Sequence, residues 1–100
     1  ELEFSDEMVP EIEFHAVQQD ILEALVKDEE HKNIGEAVSR LPEKYCVLIG
    51  LRYYWDFSEK DIAKITGLKY STVRVYIHRA LKMLLDIYNE IDKEHNDSEV

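Results

Sequence analysis

Residues 57–80 read FSEKDIAKITGLKYSTVRVYIHRA, and their local grammar is that of a helix-turn-helix. Ser58 is a helix N-cap residue, with Asp61 three positions on in capping-box spacing. Ile62, Ala63 and Ile65 give a short helix its apolar face, and Gly67 supplies a left-handed stop. Ser71 or Thr72 then caps a second helix. The motif constrains residue types for geometric reasons. Ala63 is small where the second helix crosses, and Leu68 and Val73 plug the angle between the two helices.

On the second helix Arg74, Val75, His78, Arg79 and Lys82 share a face opposite or flanking Val73, Ile77 and Ala80. An arginine can donate two hydrogen bonds to guanine O6 and N7, and a valine can meet a thymine methyl. Arg74, Val75, His78 and Arg79 are therefore the candidate base-reading residues, on a helix built to enter the major groove. Ser71 and Thr72 sit where backbone N–H groups are free to receive a phosphate. Lys60, Lys64, Lys69 and Lys82 are candidates for flanking phosphates. Taken alone, Arg74 or Arg79 fits a solvated helix face better than a DNA contact. The set, placed after this turn, points to DNA.

The rest of the chain divides by charge. The net charge is −10, which as one number argues against a DNA binder. Residues 1–42 carry 3 basic and 12 acidic side chains, residues 83–100 carry 1 and 6, and residues 43–82 carry 8 and 4. The only positive block coincides with the helix-turn-helix, the electrostatic footprint of a nucleic-acid site. With 100 residues, 45% hydrophobic content, 3 glycines and 2 prolines, the chain suits one small all-α domain, a four- to five-helix bundle. The single cysteine, Cys46, permits no internal disulfide, and a cytoplasmic location is expected. No apolar run is long enough for a membrane span. The first residue is Glu1 rather than Met, which suggests a piece of a longer protein.

Residues 1–14 scatter Leu2, Phe4, Met8 and Ile12 among acids without helical period, and read as a linker in which a helix can start at Pro10. Val17, Ile21, Leu22, Leu25 and Val26 form one stripe, and Ile34, Ala37, Val38 and Leu41 another. They fit either one helix or two, broken near Lys32–Gly35. Pro42 opens a third segment running to about Trp55, with Tyr45, Leu48, Ile49, Leu51 and Tyr54 inward. The recognition helix runs over about 71–92. The expected division is an acidic linker over 1–16, the domain over 17–95 and a disordered tail over 96–100. The expected core includes Leu41, Leu48, Leu51, Ile62, Ile65, Leu68, Val73, Ile77 and Leu81.

No phosphate loop, nucleophile elbow, metal-ligand spacing or paired catalytic motif is present, so neither an enzyme nor a cofactor or small-molecule ligand is expected.

The stretch LPEKYCVLIGLRYYWDFSEKDIAKITGLKYSTVRVYIHRALKML resembles region 4 of bacterial RNA polymerase sigma factors, especially the extracytoplasmic-function class. The resemblance rests on Leu41-Pro42-Glu43-Lys44, Leu51-Arg52-Tyr53-Tyr54, Phe57-Ser58 with Asp61-Ile62-Ala63, Gly67, Thr72-Val73-Arg74, Ile77-His78-Arg79-Ala80 and Leu84, and covers about residues 22–90. It implies a domain that reads the promoter −35 element, docks on the flap of the polymerase β subunit and is held inactive by an anti-sigma protein. By position, Arg74, Val75, His78 and Arg79 fall on the family's base-reading face, and Ser71 and Thr72 on its phosphate-docking helix start. Val75 and Tyr76 stand where small polar and basic residues are common. Ser71 stands for a frequent glycine, Cys46 for a frequent arginine and Thr66 for a frequent apolar residue. The acidic segment 1–14 resembles the linker between regions 2 and 4. Two other readings stay open: the effector domain of a response-regulator-type transcription factor, and a sigma-mimicking interaction module.

Overall fold

The computed structural model describes residues 10–28 and 31–98, with side chains to Glu94. The expectations for Leu2, Phe4 and Met8, and for the last two residues of the tail, lie outside the described residues. Within them the chain is all-α, with no strand. The helices are α1 (Glu11–Lys27), α2 (Lys32–Ser39), α3 (Glu43–Ile49), α4 (Glu59–Thr66) and α5 (Tyr70–Ser98).

Helix α1 starts where Pro10 fixes an extended entry, and the Pro10 carbonyl accepts from the Glu13 and Phe14 amides at 3.1 and 3.0 Å. Glu11 and Glu13 in its first turn and Lys27 in its last both complement the helix dipole. Its inward residues are Phe14, Val17, Ile21 and Ala24. The helical stripe thus begins one turn earlier than Val17 and leaves Leu22 and Val26 exposed. A domain boundary at residue 16 falls inside this helix. Phe14, at 2% exposure, is part of the core.

Residues 17–41 form two helices rather than one, and the break lies at 28–31, not at Lys32–Gly35. Asp28 does two jobs there. Its amide closes α1 on the Ala24 carbonyl, and its Oδ2 accepts from the Ile34 amide at 2.7 Å, capping α2 from across the turn. His31, just before α2, takes the left-handed conformation (φ 58°). Gly35 sits inside α2 with open space around it.

Pro42 opens α3, and its carbonyl accepts from the Tyr45 and Cys46 amides. The helix then widens into a π-helical turn, Gly50–Tyr54, closed by the Trp55 amide on the Gly50 carbonyl at 2.9 Å. The wider turn changes the rotation per residue, so the 3.6-residue period no longer holds. Tyr54, expected inward, is 80% exposed, beside exposed Tyr53 and Trp55.

Ser58 caps α4, its Oγ accepting from the Asp61 amide at 3.0 Å, and Gly67 ends it at φ 77°. Ile62 is fully buried, but Ile65, expected in the core, is 56% exposed. At 100° per residue, the inward direction set by Ile62 and half-buried Ala63 lies roughly 110° from Ile65. A two-turn helix packed on α5 and the π-helical turn buries only the side that faces them.

Helix α5 is the spine against which the other helices pack. Val73, Ile77, Ala80, Leu81, Leu84, Tyr88 and Ile91 form its buried stripe. Ile34, Ala37, Leu41, Tyr45, Leu48 and Ile49 complete the core, with Leu51 and Leu68 partly buried against it. The helix starts at Tyr70, with the Val73 amide bonded to the Lys69 carbonyl. Ser71 and Thr72 therefore lie in its first turn rather than at its cap. It runs on through Ser98, so residues 96–98, expected as tail, are helical.

Candidate nucleic-acid interface

Helix α4, the Gly67 turn and the first turns of α5 form the helix-turn-helix that the sequence implies. Ile62 and Val73 are buried where the two helices meet, and the Thr66 hydroxyl ties the turn by donating to the Ile62 carbonyl at 2.7 Å. The candidate phosphate contacts Lys60, Lys64, Lys69, Ser71 and Lys82 are all exposed; Thr72 is buried.

The four candidate base readers are not an open face. Val75 and His78 are 3% and 5% exposed, and Arg74 and Arg79 are half-buried. This corrects the sequence reading, in which the side of α5 away from the core faces solvent. Helix α1 explains much of the difference, because it lies along α5 and covers this side. Phe14 places its ring 4.3 Å from the Arg74 guanidinium and 5.7 Å from the His78 ring. Arg74 Nη2 donates to Glu11 Oε1 at 3.1 Å, and His78 Nε2 lies 3.9 Å from Glu13 Oε2. Lys82 shares a cleft with Glu13 and Asp20. Farther along, Lys27 pairs with Asp92 at 3.1 Å.

Arg74 is also held from within the motif. Its Nη1 donates to Glu59 Oε1 at 2.7 Å, and the Tyr70 hydroxyl reaches the same oxygen at 3.4 Å. Arg52 Nε lies 4.0 Å from the other Glu59 oxygen and is buried without a hydrogen-bond partner among the described residues. Burial works against the Arg74 charge, but Glu59, then Tyr70 and Glu11, outweigh it and hold the guanidinium above its usual pKa. For His78 burial wins. Desolvation pushes its pKa below the ordinary value of 6.5, Glu13 offsets this in part, and Lys82 adds to it. His78 Nε2 has no hydrogen-bond partner in this site. Arg79 places its guanidinium 5.9 Å from the Tyr76 ring.

Sequence reasoning missed Glu59, Phe14, Glu11 and Glu13 as parts of this site. Phe14 stands three residues before Val17 and seven before Ile21, so its place on the stripe was readable. Glu59 gave no signal, because its partner lies 15 residues away on another helix.

A family model described as Sigma-70, region 4 matches residues 31–84, just over half of the chain and the whole of the motif. The chain belongs to this family. Region 4 here is 37% identical over 60 residues to the RNA polymerase sigma factor SigV of Bacillus subtilis (strain 168), covering 58% of this chain and 36% of that protein. It is 34% identical over 56 residues to the ECF RNA polymerase sigma factor RpoE of Cereibacter sphaeroides, covering 56% of this chain and 31% of that protein. The chain thus spans about a third of the length of the curated relatives it matches. No solved structure matches it. Among the described residues no helix is long and apolar enough to cross a membrane, and no three His, Cys, Asp or Glu side chains gather as a metal site.

Proposed function

We propose that this chain is the promoter-reading domain of a sigma factor of the extracytoplasmic-function class. It recognises the −35 element in the cytoplasm while docked on the β flap of RNA polymerase, and an anti-sigma protein restrains it. It directs initiation by binding and is not itself an enzyme. The observation that carries this reading is the helix-turn-helix inside the region 4 segment, with Arg74 and Arg79 about one and a half turns apart at the start of α5. In this proposal Arg74, Val75, His78 and Arg79 face base edges. Lys60, Lys64, Lys69, Ser71 and Lys82 line the phosphates, and the buried side chain of Thr72 does not. The names of the two relatives support the sigma reading over a response-regulator effector domain. The acidic flanks agree with a domain whose affinity for DNA is supplied by tethering to polymerase rather than by its own field.

The test is a panel of promoter variants bound by holoenzyme reconstituted from the full-length protein. Arg79→Ala is expected to cost about 1–3 kcal/mol on the cognate promoter and to relax preference at one base position. Unchanged affinity and unchanged preference, with the domain still folded, would turn the assignment toward a protein-interaction module.

A further inference from the structure

Helix α1 occupies the part of the proposed DNA-reading surface formed by Arg74, His78 and Lys82. We infer that α1 and promoter DNA are alternative occupants of that surface, so that the arrangement described is a closed state from which α1 must lift before bases are read. The inference rests on the DNA-reading proposal above.

Two kinds of observation carry it. The first is geometric. A base contact needs the arginine fork within about 3 Å of a base edge. In this structure the outer nitrogen of Arg74 is spent on Glu11, its flat face is covered by Phe14, and the His78 ring lies against that same phenyl group. No duplex can approach these side chains while Phe14 is seated. The second is chemical. The groups that α1 brings to the basic face are carboxylates, at Glu11 beside Arg74 and at Glu13 beside His78 and Lys82. They offer anionic oxygens to the same donors that a phosphate or a guanine would engage.

Lifting α1 withdraws Phe14, Val17, Ile21 and Ala24 from the core, which makes the closed arrangement the resting one, but leaves the elements of the helix-turn-helix in place. Helix α1 lies wholly before residue 31, where the family segment begins. The helix-turn-helix has its own Ser58 cap, its own Gly67 turn and its own buried Ile62, Val73 and Ile77, none of which α1 supplies. The polar ties of α1 to α5 lie at the surface: the Glu11 side chain is 86% exposed and that of Lys27 66%. Such contacts exchange readily for others of the same charge.

The experiment uses the full chain and a fluorescent duplex carrying the promoter that its holoenzyme transcribes. Amide hydrogen exchange across 11–27 is followed with and without the duplex. Protection of α1 is expected in the free protein and its loss when the duplex binds. Glu11→Gln with Glu13→Gln keeps size and folding while removing both carboxylates, and is expected to tighten duplex binding roughly three- to tenfold. Glu23→Gln with Glu90→Gln makes the same charge change at exposed sites far along the two helices, and is expected to give less than about half that gain on a logarithmic scale. Protection of α1 that persists in the bound complex, or equal gains from the two double variants, overturns the inference and leaves the promoter-reading proposal standing. Holoenzyme that shows no dependence on Arg74 or Arg79 overturns both.

Discussion

Arg74 holds two carboxylates of unequal worth. The Glu59 side chain is 11% exposed and meets the guanidinium at 2.7 Å from within the helix-turn-helix, whereas that of Glu11 is 86% exposed and reaches it from α1 at 3.1 Å. A charge-assisted hydrogen bond gains strength as water is excluded, and an exposed pair is screened. Double-mutant cycles by urea unfolding are expected to separate them. The Glu59→Ala/Arg74→Ala cycle should show a coupling of about 1–2 kcal/mol, and the Glu11→Ala/Arg74→Ala cycle about 0.2–1 kcal/mol. Equal couplings would mean that α1 grips the arginine as firmly as its own motif does, against the exchangeable contact argued above. The unequal pairing also gives Glu59 a task in recognition: it holds the Arg74 fork in place whether or not α1 is docked.

At the scale of elements, legibility followed the locality of the cause. Helix α4 was readable to the residue because Ser58, Asp61 and Gly67 act within one turn of where they stand. The start of α1 was readable from Pro10, and the stripe on α5 from its own repeat. What failed depended on a neighbour. Ile65 fits an amphipathic pattern but has nothing to press against, and Tyr54 was displaced by the π-helical turn at Gly50–Tyr54, which no residue spacing announces. The cover over Arg74 and His78 needed knowledge of where α1 docks, and docking is a tertiary fact. The contrast within the motif is measurable. Ile77→Ala, at a fully buried site on α5, is expected to cost about 2–5 kcal/mol, whereas Ile65→Ala on the exposed side of α4 should stay within about 0.5 kcal/mol. Urea midpoints of the two variants check this, and a large loss at Ile65 would mean that it packs within the domain in solution rather than facing solvent.

At the scale of the whole molecule, net charge and charge placement pull in opposite directions. The chain is at −10, yet residues 43–82 hold 8 of the 12 basic side chains. Salt screens exposed charges over about 8 Å at physiological ionic strength, so acids on the far ends of α1 and α5 act weakly on a duplex at the motif. Acids docked on the motif lie within a few ångströms of its cations and act more strongly, though Glu11 is itself exposed and screened. The sum therefore says little about DNA binding, and the counterions released on contact say more. Lys60 is exposed at the start of α4, where a backbone phosphate would pass, while Lys27 is engaged with Asp92 at the other end of α1. In holoenzyme–promoter titrations from low to moderate salt, Lys60→Ala is expected to reduce the slope of log affinity against log salt by about 0.9, and by the same amount on every promoter variant. Lys27→Ala should leave the slope unchanged. A Lys60→Ala slope equal to wild type would move the phosphate track off the first turn of α4 and toward Lys64 or Lys69. A loss confined to particular promoter sequences would instead mean that α4, and not only α5, reads bases.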